Sequence, residues 1–106
     1  MSDILIVDDE RDIRELISEI LIDEGYTTRL AGTADDAMRE VTSQSPCLLI
    51  LDIWLKDSDM DGIDILKKVK SDYPEVPVVI ISGHGNIEIA VAAIKQGAYD
   101  FIEKPF

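Results

Sequence analysis

Cysteine, histidine and tryptophan occur once each in the 106 residues, and only 10 lysines and arginines stand against 22 aspartates and glutamates. One cysteine, Cys47, excludes an internal disulfide and any zinc-ligand spacing. The natural expectation is a reduced, intracellular protein in which Cys47 is a small buried thiol. The single histidine, His84, sits between Gly83 and Gly85 with no partner in the sequence, and reads as a loop residue rather than a ligand or base. A formal net charge of -12 opposes direct contact with nucleic acid, which needs a clustered cationic surface. No apolar run reaches the length of a membrane span, and the opening MSDILIVDDE lacks the parts of a signal peptide, so no membrane contact and a cytoplasmic location are expected.

What is present is an apolar chain for its size, 46% hydrophobic, consistent with one domain over residues 1–106. Short continuous runs, ILIV at 4–7, CLLILD at 47–52 and VPVVIIS at 76–82, read as strands buried on both faces, with a weaker strand at 26–31 and a last one at 99–103. Between them lie helical spacings. Ile13, Leu16, Ile17, Ile20 and Leu21 mark a first helix stopping at Gly25. Thr33 is the expected N-cap of a second helix, which runs to about Ser45 before Pro46. A third opens at Asp61 or Gly62 on the face Ile63, Ile65, Leu66 and Val69, and a fourth runs from about Ile87 to Gln96, before Gly97. This alternation predicts an α/β fold: a doubly wound, five-stranded parallel sheet in the flavodoxin-like order 2-1-3-4-5, with right-handed crossovers.

The stretch LDIWLKDSDMDG, 51–62, contains the start of a calcium loop at Asp57, Asp59, Asp61 and Gly62. That reading fails at the twelfth position, where Lys68 stands in place of the bidentate glutamate. Asp57 and Asp59 are then solvated loop carboxylates. Asp52 is different, because it closes an apolar strand.

Open parallel sheets bind ligands beyond the carboxyl ends of their strands, where the strand order reverses. In this order the crevice lies between strands one and three, so it receives Asp8, Asp9 and Asp52, with Ser82 from strand four and Lys104 from strand five. Three carboxylates without a nearby imidazole or thiol form a hard, all-oxygen site suited to magnesium or manganese. With Ser82 and Lys104 available to phosphoryl oxygens, Asp52 is the expected nucleophile of a phosphoryl transfer, a reaction that mainly requires alignment and charge neutralisation. Taken singly, each residue has a plainer account: Asp8 and Asp9 as helix-capping acids, Ser82 as a turn residue, Lys104 as a surface cation. One of Tyr99 and Phe101 is expected to face inward as core.

VDDE, LDIW, ISGHG and EKPF resemble the receiver domain of two-component response regulators, and the resemblance covers nearly the whole chain. It implies that Asp52 is the phosphoacceptor, Asp9 a direct magnesium ligand, Asp8 its water-linked companion and the Trp54 backbone carbonyl a further ligand. It also implies that Ser82 is the switch hydroxyl, Lys104 the phosphate-binding lysine and Phe101 the aromatic that rotates on phosphorylation, with a cis bond before Pro105. The run SGHGNIEIAVAAIKQGAYDFIEKPF is similar to receivers of the NtrC type and, within it, the NtrX-like nitrogen regulators. Such a domain is a regulatory phosphoacceptor rather than an enzyme. The implied partners are a sensor histidine kinase, a second copy across the fourth-helix and fifth-strand face, and ATPase and DNA-binding modules in the same polypeptide.

Two features depart from the common pattern. The loop from Ile53 to Asp61 is longer than usual and lacks proline, and is expected to alter metal affinity or shield the acyl phosphate. The family's fifth helix has no counterpart before Phe106, so apolar surface is expected to be exposed near the fourth helix and fifth strand. Two other classes share parts of the constellation. A haloacid-dehalogenase-type phosphohydrolase needs an acid two residues after the nucleophile, where Trp54 stands. A pseudo-receiver, which binds without being phosphorylated, would not need the acidic and lysine positions kept here.

Overall fold

The computed structural model describes residues 3–53, 62–82 and 87–103. Five strands alternate with four helices: β1 (Asp3–Val7), α1 (Arg11–Asp23), β2 (Thr27–Ala31), α2 (Ala34–Ser43), β3 (Leu48–Asp52), α3 (Gly62–Asp72), β4 (Val78–Ser82), α4 (Ile87–Lys95) and β5 (Asp100–Glu103). The strands form one parallel sheet in the order β2-β1-β3-β4-β5, as the alternation predicts. Among the described residues no helix is long and apolar enough to cross a membrane.

Side chains alternate across a strand, so a continuous apolar run feeds two cores. Leu5, Val7, Leu49, Leu51, Val78 and Ile80 point to the larger one, where Val41 of α2 and Ile65, Leu66 and Val69 of α3 meet them. Ile4, Ile6, Ile50 and Ile81 point the other way, to a smaller core with Ile17 of α1. That second face is incompletely covered among the described residues. Leu16 and Ile20 are about half exposed, and an open groove of about 210 Å³ is lined by Ile17, Ile20, Leu21, Ile50, Ile81 and Ile102. On the opposite side of β5, α4 contacts the core through Ala90 and Ala93, while Val91 and Ile94 stay exposed.

Helix ends follow local chemistry. The Thr33 hydroxyl oxygen accepts from the Asp36 N–H at 3.1 Å, which makes it the N-cap expected for α2. Gly25 and Gly97 follow α1 and α4 with φ of 93° and 109°, the left-handed conformation that ends a helix. Cys47 corrects the sequence reading: it is exposed. β3 begins only at Leu48, so Cys47 lies at the rim, held by its N–H to the Asp3 carbonyl at 2.8 Å, while Pro46 takes the buried position.

The edge strand β2 is tied down by its ladder to β1, by a 2.7 Å hydrogen bond between the Thr28 and Ser18 hydroxyls, and by Arg29. Arg29 makes a two-pronged contact with Asp3 (Nε to Oδ1 3.1 Å, Nη2 to Oδ2 2.7 Å). It also donates to the Glu40 and Gln44 carbonyls at 2.8 and 2.7 Å, at the end of α2. Burial alone would lower the guanidinium's pKa, but hydrogen bonds and charge from Asp3 and Glu40 outweigh it and hold the group above its ordinary range. As far as the arginine's own ionisation goes, the stability this raised pKa represents is lost only as pH rises through that range, in extreme alkali.

Candidate functional site

β1 delivers the first acid. Asp8 continues the strand by giving its N–H to the Ala31 carbonyl at 3.1 Å, and its side chain is fully buried. Its Oδ1 accepts from the Glu10 N–H at 2.8 Å, and its carbonyl accepts from Arg14 Nη1 at 2.7 Å. The helix-capping account does not describe the Asp8 bond to Glu10. The N-cap of α1 is Glu10, which makes no side-chain cap bond, and the Asp8 carboxylate serves the N–H before the helix rather than those inside it.

Asp9 is half-buried and Glu10 exposed, and the carboxylates of Asp8, Asp9 and Glu10 offer oxygens within 4.8 Å of one another. Glu10 was not singled out by the sequence reading; its place directly after the acid pair was the available signal. β3 supplies the next acid. Val7 pairs with Leu51, so Asp8 and Asp52 stand one step further on at neighbouring strand ends, with Asp52 also buried.

β4 and β5 complete the rim. The Ile53 N–H donates to the Ile81 carbonyl at 3.1 Å, which sets Ser82, buried at the end of β4, beside the end of β3. Ser82 is in register with Glu103 of β5. Phe101 is half-buried against the larger core, whereas Tyr99, just before the strand, is exposed. Trp54, Lys104 and Pro105 lie outside the described residues, as do His84 and the acidic segment 54–61.

Buried carboxylates crowded together repel unless something neutralises them, and an all-oxygen donor set matches a small hard cation. The cluster of Asp8, Asp9 and Glu10, with Asp52 buried at the neighbouring strand end, therefore fits magnesium or manganese. The site's floor depends on a glycine that the sequence reading treated only as a helix start. Gly62 gives its N–H to the Ile53 carbonyl at 2.9 Å. A Cβ there would lie 2.4 Å from Ile53 Cα and 2.7 Å from the Asp52 carbonyl oxygen.

Residues 4–106 match the response regulator receiver domain. The nitrogen assimilation regulatory protein NtrX of Azorhizobium caulinodans is 62% identical over 98% of this chain, which spans 23% of that protein. The DNA-binding transcriptional regulator NtrC of Proteus hauseri is 38% identical over 95% of the chain, which spans 21% of it. The crystal structure of the receiver domain of NtrX from Brucella abortus superposes with a TM-score of 0.96 at 59% identity, covering 98% of this chain and 87% of that one. The chain thus spans under a quarter of the curated relatives it matches. With acids at the strand-order reversal and these likenesses agreeing over nearly its whole length, the chain belongs to the response regulator receiver domain family, and within it is similar to the receivers of NtrX and NtrC-type regulators.

Proposed function

We propose that this domain is a phosphorylatable switch in two-component signalling, with Asp52 as the phosphoacceptor. The observation that carries the reading is the pair of buried acids, Asp8 and Asp52, at adjacent strand ends, with Asp9 beside them. In the proposed step an Asp52 carboxylate oxygen attacks the phosphorus of a phosphohistidine on a sensor histidine kinase. The P–N bond breaks, its electron pair returns to the imidazole, and Asp52 becomes an acyl phosphate. Asp8, Asp9, Asp52 and the Trp54 carbonyl would hold magnesium or manganese. When bound, the ion offsets the carboxylate charge and that of the phosphoryl oxygens.

Ser82 would hydrogen-bond one phosphoryl oxygen and Lys104 would pair with another, while Phe101 reports the change by moving against the core. Phosphorylation can favour one arrangement of the face bearing α4 and β5 only by binding it better than the other. The exposed Val91, Ile94 and Tyr99 on that face supply the apolar contact for a homodimer. The likeness to NtrX and NtrC-type regulators supports a cytoplasmic protein whose ATPase and DNA-binding modules carry the output.

The test is intact mass after incubation with acetyl phosphate, with and without magnesium. One phosphoryl adduct is expected, dependent on magnesium and absent from Asp52→Asn. A folded, magnesium-binding chain that takes up no phosphoryl group would instead be a binding module. The groove along α1 also supports a domain completed by a fifth helix after Phe106. Extending the chain through that helix should raise the thermal midpoint by about ten degrees, since covering about 100 Å² of apolar surface is worth roughly 2.5 kcal/mol. An unchanged midpoint would place that segment elsewhere.

A further inference from the structure

The side chain of Arg14 is half-buried, folded back toward the acid pair from the first turn of α1. Its Nη1 donates to the Asp8 carbonyl at 2.7 Å. The guanidinium lies flat against the bare Cα of Gly32, just past β2: a Cβ there would sit 2.8 Å from Nη1 and 3.4 Å from Cζ. Two consecutive strand ends thus meet through one arginine. Asp8 is held at its N–H by Ala31, at its Oδ1 by Glu10, and at its carbonyl by Arg14.

We propose that Arg14, seated on Gly32, is a positioning residue for the divalent-cation site, an inference that rests on the function proposed above. The bond goes to a backbone carbonyl, not to a carboxylate oxygen. Arg14 therefore fixes the Asp8 peptide without occupying a ligand atom; its charge by itself opposes a second cation nearby, so the gain in affinity comes from position. A planar guanidinium is suited to this, because it can stack on a flat glycine surface while donating from its edge. A lysine would keep the charge but not the stacking. Gly32 acts through the arginine: a methyl there meets only the far end of a flexible side chain, so the chain still folds but the guanidinium must leave its seat.

The experiment is a magnesium titration by calorimetry on the wild type, Arg14→Met, Gly32→Ala, the double variant and Arg14→Lys, with metal-free melting as a control. Arg14→Met and Gly32→Ala should each weaken magnesium binding about tenfold, at the lower edge of what outer partners of a metal site cost. The double variant should be no weaker than Arg14→Met, because both changes break one contact, and Arg14→Lys should recover part of the loss. Gly32→Ala keeps the arginine's charge, so its weakening separates position from electrostatics and stands even if Arg14→Met folds poorly. Unchanged or tighter binding in the single variants, with the wild type binding normally, overturns the inference alone. Additive losses overturn the role of Gly32 as the seat. A folded wild type that binds no magnesium overturns the functional reading and this inference with it.

Discussion

Gly62→Ala is expected to cost about 3 kcal/mol or more of folding stability, a large share of the roughly 5–15 kcal/mol that holds a small domain. The added methyl would meet only backbone: Ile53 Cα at 2.4 Å, the Asp52 carbonyl oxygen at 2.7 Å and the Ile53 carbonyl oxygen at 2.8 Å. No rotamer change relieves those contacts, so α3 must back away from β3. The Gly62 N–H bond to Ile53 at 2.9 Å is then stretched, and leaving such a buried pair unmade costs about 1–3 kcal/mol. Because the strain falls on Asp52 and Ile53, acyl phosphate formation should slow as well. Gly25→Ala provides the comparison. Its methyl meets nothing within 4 Å and only the φ of 93° opposes it, so about 1 kcal/mol is expected. Urea unfolding of both variants decides the matter; a Gly62→Ala loss no larger than that of Gly25→Ala would mean α3 is free to step back.

Removing the Arg29 guanidinium should have the next largest effect. With only 20% of the Arg29 side chain and 9% of Asp3 exposed, Arg29→Met leaves a largely buried carboxylate without its cation, a change that typically costs about 3–5 kcal/mol. The short contact from Nη2 to Asp3 Oδ2, 2.7 Å, is held by charge rather than by an aligned hydrogen bond, so a neutral donor would not replace it. The Glu40 and Gln44 carbonyls lose their donor too. Since β2 is at the sheet edge, amide exchange should accelerate first over Thr27–Ala31. Replacing both partners, Arg29→Met with Asp3→Leu, should recover much of the loss, because no uncompensated charge remains. If the double variant is as unstable as Arg29→Met, the backbone carbonyls rather than the ion pair carry the network.

The parallel sheet was legible because its three central strands are buried on both faces and so are written as unbroken apolar runs; ILIV and LLILD admit few other readings. Helix ends were legible where a local bond sets them, as at Thr33 and Gly25. The first helix was only half legible. Its spacing put Leu16 and Ile20 on one face with Ile17, yet both are about half exposed, because periodicity reports which residues share a face and not what covers that face. Cys47 misled for a related reason: thiols are usually buried, but one residue outside a strand the sheet no longer shelters it.

By itself, the sequence determined the order of elements and, through the strand-end rule, that Asp8, Asp9, Asp52 and Ser82 gather at one edge, since local periodicity and chain topology suffice for both. Only the tertiary structure decided that Glu10 joins the acid cluster, that Arg14 turns back onto Gly32, and that Gly62 lies flat on the backbone of Asp52 and Ile53. Glu10 follows the acid pair directly, but the Arg14 and Gly62 contacts join separate segments at distances fixed by packing, and no spacing along the chain encodes a distance across it.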